Sequence, residues 1–466
     1  MPLYVILSRL QFALTTLFHI TWPVLTIGLG LFLVFLEVLW IRFGDDDHYR
    51  HARFWSRLFL LNFSVGVVTG LPLEFEFGTN WAPFSAATGG FFGNMLGFEG
   101  AMAFMLEAGF LGIMMFGWHR VPRVIHLIAT CMVAFGASIS AFWIMVANSW
   151  MQTPAGGHMV GGRFVVTDYL AAIFNPDMPW GVSHMWVACL EVGLFVVGGI
   201  SAWYILRGQH AAFFMKSFRL AIVLAIVVTP LQIWLGDSSG KLVFRDQPAK
   251  GAAIEGDWTT NPPGEGAPWA VVGWPDAAKQ RNDWAITVPD LLSVLATDTL
   301  TGRVIGLGSI PRDDQPPLLP LIFYAFRVMA GIGILLFLLM LASVIAWSRG
   351  WLGPVPGRAA RWLLMAWVAA IPLGYIATCC GWIVREVGRQ PWIIYGVMRT
   401  VQGASRVPAA SVGYTLAGFL TIYAVLLTAF LAFAARIIAR GPDMAVRVPS
   451  RAPLHQEREG GRLSAA

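Results

Sequence analysis

The stretch FALTTLFHITWPVLTIGLGLFLVFLEVLWI, residues 12–41, decides the fold class of this chain. Its only ionisable side chains are His19 and Glu37. An α-helix rises about 1.5 Å per residue, so about 20 apolar residues cross the hydrocarbon core of a bilayer. The stretch therefore predicts a membrane-spanning helix. It is longer than the apolar core of a cleavable signal peptide, so we expect the mature protein to retain it.

Similar apolar runs recur along the 466-residue chain. Charged residues make up only 12% of it, whereas a soluble domain carries about 25%, so most of the outer surface must face lipid. Runs long enough to span a bilayer occur at 12–41, 58–78, 94–117, 124–149, 180–206, 218–235, 319–347, 361–386 and 411–439. The sequence thus predicts an all-α integral membrane protein, a bundle of about nine transmembrane helices with one large external loop.

Basic residues cluster in alternate connections between these runs. The connections after the first, third, fifth and seventh runs are rich in Arg, whereas 79–93 has neither Lys nor Arg and 150–179 has only Arg163. The connection after the eighth run, which also carries Arg, is the exception. Because basic loops tend to stay in the cytoplasm, we expect the N-terminus outside and the C-terminus in the cytoplasm.

Four parts of the chain differ in composition. Residues 1–235 hold the first six predicted transmembrane helices and 319–440 hold the last three. Between them, 236–318 is polar and rich in Pro, Gly and Trp, and a connection of that length is usually functional or disordered. Residues 441–466 are polar and predict a disordered cytoplasmic tail.

Two further features exclude other classes of protein. The net charge of +6 comes from scattered Arg residues without interleaved aromatics, so we expect no nucleic-acid partner. The cysteines stand in apolar stretches without the spacing of a zinc site or a covalent haem site, which predicts packing roles. They are Cys131, Cys189, Cys379 and Cys380.

Several possible metal ligands are predicted to share one depth in the membrane. Charged and polar groups in hydrocarbon cost several kcal/mol and are mostly functional, although any one of them could merely bridge two helices. With the topology above, five such residues fall near the outer leaflet: His19, Glu99, His184, Met329 and Glu386. His and Met suit a low-spin haem iron, and Glu suits a haem that leaves a position open for oxygen. A layer of cofactors would explain this clustering.

Glu99 and Glu107 lie eight residues apart, which places them about 12 Å apart along one helix and near one face. The pair could pass protons from the middle of the membrane toward the outer layer. For Glu107, a carboxylic acid that bridges two helices is an equally good interpretation. Glu37 and Glu191 could extend such a route, but the sequence does not assign them to it.

Eight motifs then resemble, in order, subunit I of the cytochrome bd-type quinol oxidases. They are SRLQFALTTLFH (8–19), EFEFGTNW (74–81), FEGAMAFMLEAGFLG (98–112), WIMVANSWMQ (143–152), GGISAWY (198–204), GDSSG (236–240), FYAFRVM (323–329) and GRQPW (388–392). The resemblance extends to about residue 440. It implies an enzyme of the bacterial inner membrane that oxidises ubiquinol or menaquinol, reduces dioxygen to water and generates a proton gradient.

The resemblance also implies roles for particular residues. His184 and Met329 would be the axial ligands of a low-spin haem b, and His19 and Glu386 those of two high-spin haems. The high-spin pair would be haem b and haem d, or haem b in place of haem d, and the assignment of the two ligands stays open. The residues implied to support the haems and their propionates are Arg327, Trp382 and Arg389.

The remaining implied roles concern protons, quinol and partners. Glu99 would sit beside the high-spin haems, and Glu107 would serve proton transfer. In the external loop, PAKGAAIEGDW (248–258) resembles the quinol-binding stretch, with Lys250 and Glu255 as its functional residues. The implied partners are subunit II, a small single-helix subunit as a further candidate, membrane lipid, quinol and dioxygen.

Two departures from the family pattern stand out. The external loop lacks a long insertion before the seventh span, which resembles the short-loop, cyanide-insensitive branch. Arg385 directly precedes Glu386, where an uncharged residue is expected. A cation there could hold Glu386 ionised or compete for it.

Two other classes of membrane protein remain as alternatives at this stage. In a transporter or channel, the buried acids and His residues would line a substrate path, but inverted repeats and broken midplane helices are not evident. A haem protein that only relays electrons is the second alternative, and Glu99 and Glu386 beside an open iron site argue against it.

Overall fold

A computed structural model describes residues 1–449 of the chain. Its fold is a bundle of long helices. Within these residues nine helices are long and apolar enough to cross a membrane. We number these spans first to ninth: Leu3–Phe43, Asp46–Gly78, Ala82–Phe116, Arg123–Gln152, Met178–Leu206, Ala211–Asp246, Leu319–Ser348, Arg358–Val387 and Ala409–Arg440. The prediction of an all-α membrane protein with about nine spans is confirmed. The predicted tail from residue 450 onward lies outside the described residues.

Most spans are longer than their apolar runs, because a helix can continue into water where polar side chains cover it. The clearest case is the sixth span, which ends at Asp246. The predicted boundary between 235 and 236 therefore falls inside this helix. Its last turns are stabilised by an ion pair between Lys241 and Asp237, 2.7 Å long and one helical turn apart.

The third and eighth spans are not single regular helices. The third contains two π-helical segments, Gly89–Gly93 and Glu99–Phe104, between α-helical ones. The eighth is divided into Arg358–Ala370 and Leu373–Val387, on either side of Pro372. π-helical turns within a span are frequently found at functional sites, and Glu99 opens one of these.

The segment between the sixth and seventh spans lies at one end of the bundle, which we call the loop end. It starts with a short helix, Pro248–Glu255, followed by an antiparallel hairpin of strands Trp269–Asp276 and Arg281–Val288 and a helix at Leu291–Thr297. Two smaller hairpins lie at Gly157–Val160 with Arg163–Val166, and at Trp392–Ile394 with Met398–Arg399. Short helices complete the connections: Tyr169–Ile173, Leu307–Ser309, Arg312–Asp314 and Thr400–Gly403.

The centre of the bundle is built where the first and fifth spans touch. A Cβ atom on Gly28 would lie 2.2 Å from the backbone oxygen of Cys189, and one on Gly193 would lie 2.7 Å from Gly28. Glycine at both positions lets the two backbones meet, as small residues do between membrane helices. Around this contact the largest side chains are fully buried, among them Trp40, Trp55 and Trp367.

The outer spans expose apolar side chains. On the ninth span Leu420, Val425 and Leu431 are each more than half exposed. After this span the chain turns back at Gly441, and Val446 and Val448 pack against the helices. The first residues of the predicted tail are thus in contact with the bundle.

Candidate functional site

Glu386, in the last turn of the eighth span, is held by three donors at the loop end. Arg389 Nη2 donates to Oε2, and Asn148 Nδ2 donates to Oε1 over 2.9 Å. Gln152 Nε2 donates to the same Oε1 over 3.3 Å. Asn148 and Gln152 are four residues apart in the fourth span, so they share a helix face. The carboxylate is fixed in orientation, yet its side chain remains 32% exposed.

Beside this carboxylate lie buried donors whose partners are missing. Arg389 is 3% exposed, and its Nε and Nη1 have no hydrogen-bond partner within residues 1–449. The same holds for the indole Nε1 of Trp382. Burial lowers the pKa of Arg389, and the Glu386 carboxylate opposes that shift. Since unsatisfied buried donors are costly, these groups indicate a bound molecule with acceptor or anionic atoms.

His184 and Met329 each face a glycine on a neighbouring span. A Cβ on Gly236 would lie 3.2 Å from the His184 ring, and a Cβ on Gly381 would lie 2.9 Å from Met329 Sδ. His184 Nδ1 is buried and has no hydrogen-bond partner among residues 1–449. The imidazole and the thioether therefore stand where the adjoining backbone carries no side chain.

The His19 ring is oriented by the second span. Its Nδ1 lies 3.0 Å from Thr69 Oγ1, and that hydroxyl lies 3.0 Å from the carbonyl oxygens of Val65 and Gly66. Because the hydroxyl donates to these carbonyls, it accepts from Nδ1–H. Nε2 then carries the lone pair that a metal ligand needs.

The set of donors fits haem better than a bare metal ion. Within residues 1–449 no three His, Cys, Asp or Glu side chains come close enough to hold an ion. Haem iron needs only one or two protein ligands, and its propionates accept hydrogen bonds. Separate neutral ligands such as His184 and Met329, with unsatisfied donors on Arg389 and Trp382, match that requirement.

Glu99 and Glu107 both contact the fourth span. Ser140 Oγ donates to Glu99 Oε1 over 2.7 Å. Glu107 is buried, and a Cβ on Gly136 would lie 2.6 Å from its Cγ. Because Gly136 and Ser140 are one helical turn apart, the two acids lie along the same side of the fourth span. The Ser140 hydroxyl and the two carboxyl groups thus lie along one side of this span.

Lys250 and Glu255 lie at opposite ends of the short helix Pro248–Glu255, and both are buried. Lys250 Nζ donates to Gln152 Oε1 over 2.6 Å. Glu255 Oε2 accepts from Trp269 Nε1 over 2.8 Å and from Arg327 Nη2 over 3.0 Å. The two residues do not share a partner, although the sequence predicted a shared role.

Burial shifts the pKa values of both groups toward their neutral forms. It lowers the pKa of Lys250 well below its usual range, and the cations of Arg385 and Arg389 lower it further. Burial raises the pKa of Glu255, while the Arg327 guanidinium works against that shift.

Arg327, which the resemblance predicts to support the haems and their propionates, contacts the loop segment. Its guanidinium donates to Glu255 and to the carbonyls of Ile254, Phe323, Ala270 and Val271. In this arrangement it ties the seventh span to the loop.

Sequence reasoning gave no role to three of these polar residues. They are Ser140, Asn148 and Gln152. All three stand at one- or two-turn spacings on a mostly apolar span, and this spacing was the available signal.

Comparisons with known proteins cover almost the whole chain. The family described as Cytochrome bd terminal oxidase subunit I matches residues 7–442. The chain is 33% identical to Cytochrome bd-II ubiquinol oxidase subunit 1 of Escherichia coli (strain K12), over 94% of this chain and 96% of the relative. It is 34% identical to Cytochrome bd ubiquinol oxidase subunit 1 of Bacillus subtilis (strain 168), over 94% of each.

A solved structure agrees with these relatives. The bd oxidase from Geobacillus thermodenitrificans superposes with a TM-score of 0.85 at 33% identity, covering 94% of this chain and 99% of that one. Identity above 30% over nearly the full length, together with the family match, leaves one assignment. The chain belongs to the cytochrome bd terminal oxidase subunit I family.

Proposed function

We propose that this chain is the haem-carrying, quinol-oxidising subunit of a terminal oxidase that passes electrons from quinol to dioxygen. The observation that carries the proposal is the hydrogen-bonded path from Lys250 through Gln152 to Glu386. It joins the loop stretch proposed to bind quinol to a carboxylate proposed to bind haem. The relatives named above are ubiquinol oxidases. The substrate of this chain is then ubiquinol or menaquinol.

The haem ligands are proposed as follows. His184 and Met329 hold a low-spin haem b, and His19 and Glu386 hold the two high-spin haems, either haem b with haem d or haem b at both sites. Bound haem supplies one-electron redox chemistry and, where one axial position is open, a site for dioxygen. Arg389, whose Nε and Nη1 have no hydrogen-bond partner within residues 1–449, would bind propionates, and Trp382 would donate its indole N–H to them.

At the loop end, Lys250 and Glu255 bind the two hydroxyl groups of quinol. The buried amine of Lys250 favours its neutral form and is suited to accept a proton as the quinol is oxidised. Glu255 is held in place by Trp269 and Arg327, so it offers a fixed acceptor. Each quinol loses two electrons and two protons, and the protons leave on the outer side.

Protons for water formation travel along the side of the fourth span. Glu107 takes them from the cytoplasmic half of the membrane, and Glu99, bonded to Ser140, delivers them near the high-spin haems. Two quinols supply the four electrons that convert one dioxygen and four protons into two waters. Because these protons cross most of the membrane, the reaction generates a membrane potential.

The proposed setting follows from the same topology. The chain lies in a bacterial inner membrane with the N-terminus and residues 247–318 outside and the C-terminus in the cytoplasm. Its exposed apolar spans adjoin subunit II, lipid and, as a further candidate, a single-helix subunit. We further propose that the loop is of the short type, as in the cyanide-insensitive branch.

A reduced-minus-oxidised spectrum of the purified oxidase, with haem extraction, tests the proposal. We expect low-spin and high-spin haem b signals, with haem d in addition or haem b in its place. His184→Ala and Met329→Ala should each remove the low-spin signal and leave high-spin haem. Folded protein without haem would overturn the proposal, and a normal low-spin spectrum in both variants would overturn that ligand assignment.

Quinol oxidation is measured separately. Lys250→Ala or Glu255→Ala should impair oxidation of quinol without changing the haem content. Unchanged turnover in both variants would contradict the proposed role of the loop. Measuring quinol oxidation separately from haem content shows whether the proposed quinol site or the proposed haem ligands are wrong.

A further inference from the structure

Arg385, whose position beside Glu386 is unexpected for the family, pairs with Asp177. Its Nη2 donates to Asp177 Oδ2, and its Nη1 lies 3.4 Å from Oδ1, so the guanidinium engages both carboxylate oxygens. The side chains of Arg385 and Asp177 are 19% and 8% exposed. A carboxylate and a guanidinium in this arrangement form a strong, directional pair. Arg385 therefore does not compete with Arg389 for Glu386.

The same guanidinium fixes the amide of Asn148. Arg385 Nε donates to Asn148 Oδ1 over 2.5 Å, and Asn148 Nδ2 donates to Glu386 Oε1 over 2.9 Å. Rotating this amide by half a turn would set its N–H groups against the guanidinium and its oxygen against the carboxylate. Both new contacts would be repulsive. Arg385 thus determines that Asn148 presents a donor to Glu386.

The surrounding backbone leaves space for the pair and for little else. Gly181, near the start of the fifth span, has no room for a side chain. A Cβ there would lie 2.9 Å from Asp177 Oδ2, 2.9 Å from Ser149 Oγ and 3.1 Å from Arg385 Nη2. Ser149 Oγ accepts a further hydrogen bond from Arg385 Nη2 over 3.1 Å. Asp177, Ser149 and the backbone of Gly181 thus all lie against the Arg385 guanidinium.

Charge is the second consequence of this pair. The charged groups that act on one another around Lys250 are the guanidinium groups of Arg385 and Arg389 and the carboxylates of Asp177 and Glu386. At short range in a medium of low dielectric constant, one uncompensated charge changes the energy of a neighbouring redox centre strongly. Asp177 offsets the cation that Arg385 brings next to Glu386.

We propose that Asp177 and Arg385 form a positioning and charge-compensating pair that orients Glu386 through Asn148 and sets the reduction potential of the haem held by Glu386. The proposal rests on the proposed function, because it takes Glu386 as a haem ligand. Arg385 acts through Asn148 and is a positioning residue.

Redox titration of the visible haem bands in the purified oxidase tests this pair. Asp177→Asn leaves the Arg385 cation uncompensated, which favours reduced haem, so the midpoint potential of the high-spin haem should rise. Arg385→Gln leaves the Asp177 anion, so the midpoint should fall. In the double variant it should return close to that of the unmodified protein. Arg361→Gln, an exposed arginine at the opposite end of the same span, should leave it unchanged.

Shifts of the same sign in both single variants, or none in either, would overturn the proposal. If a single variant loses the high-spin haem, recovery in the double variant supports the pair and absence of recovery overturns it. The low-spin haem band reports that each variant is folded. Arg385→Lys keeps the charge but cannot bond Asp177, Ser149 and Asn148 together. It should hold the midpoint near the original value while altering the high-spin band shape.

Glu386→Ala separates this inference from the proposed function. If this variant keeps the full high-spin haem spectrum, the ligand assignment itself has failed. If it loses that spectrum while the Asp177 and Arg385 variants titrate like the unmodified protein, only the role of the pair has failed.

Discussion

Lys250 Nζ lies 2.6 Å from the side-chain oxygen of Gln152, in the interior of the protein. Gln152 also receives a 3.1 Å hydrogen bond from Gln247, and its own amide donates to Glu386. One side chain of the fourth span thus contacts both the loop helix and the end of the eighth span.

Replacing Gln152 with Leu should slow quinol oxidation. The buried Lys250 would lose its acceptor, which costs about 1–3 kcal/mol, and roughly tenfold in turnover corresponds to 1.4 kcal/mol. Haem content should be retained, since Asn148 and Arg389 still hold Glu386. Quinol oxidase turnover per haem measures the effect, and Gln209→Leu, an exposed position at the other end of the bundle, is the control. Equal turnover in the two variants would contradict the prediction.

The buried amine of Lys250 should make the stability of the protein depend on pH. Its pKa is lowered in the folded state, so between that value and the ordinary 10.5 the unfolded chain binds more protons than the folded one. Stability contributed by this group therefore rises with pH across the window. Thermal unfolding midpoints in detergent, measured upward from pH 7, should rise less in Lys250→Met than in the unmodified protein. Parallel curves would show that the amine is not buried as described.

The stability contributed by Asp257 should change with pH in the opposite direction to that contributed by Lys250. Burial raises its pKa from 3.8 to about 6, although the backbone N–H of Thr259 works against the shift. The folded state then holds the proton that the unfolded chain releases, so this stability contribution is present below pH 3.8 and is lost by about pH 6.

Asp257→Asn should accordingly raise the free energy of unfolding at pH 7 by an amount on the order of 1–3 kcal/mol, and leave it nearly unchanged at pH 4. Asp313→Asn, on an exposed loop carboxylate, is the matched control. A destabilised Asp257→Asn at pH 7 would count against the assignment.

Gly381→Ala should disturb the proposed low-spin haem site. The added Cβ would lie 2.9 Å from Met329 Sδ, closer than such atoms approach, so the thioether must move. We expect a weaker low-spin haem band with high-spin bands retained. Gly333→Ala on the seventh span meets nothing within 4 Å and should be spectroscopically silent. Identical spectra for the two variants would remove Met329 from the ligand set.

Gly136→Ala should impede proton delivery. Its Cβ would lie 2.6 Å from Glu107 Cγ and would push this acid out of line with Ser140 and Glu99. Turnover should fall severalfold, with haem spectra and quinol affinity unchanged. Gly112→Ala, on the third span with no neighbour within 4 Å, controls for the loss of a glycine. Proton uptake during a single oxygen pulse provides the direct measurement.

The sequence predicted the number and order of the spans because hydrocarbon demands long apolar runs, whatever the tertiary contacts. Helix ends were less predictable. Asp237 and Lys241 lie beyond the apolar run of the sixth span and still belong to that helix. The π-helical turn at Glu99 was also missed, since an apolar run does not reveal a change of helical register.

The sequence predicted a set of candidate site residues but not the contacts between them. His184 could be singled out because ionisable side chains are rare in spans. Met329, a residue type that more often fills the core, was singled out only by the depth it was predicted to share with the other candidate ligands. The pairing of Arg385 with Asp177 joins residues 208 positions apart, and no local pattern encodes it. Arg327 likewise turned out to contact Glu255, a partner 72 positions away.

The contact between Gly28 and Gly193 also relates the positions of two proposed haem ligands, His19 and His184. His19 lies nine residues before Gly28, and His184 lies nine residues before Gly193, on helices that run in the same direction. Both histidines therefore lie at the same distance along their helices from the point where the two helices cross. Electron tunnelling depends steeply on separation. Gly28 and Gly193 would thereby help to set the tunnelling distance between the haems proposed at His19 and His184.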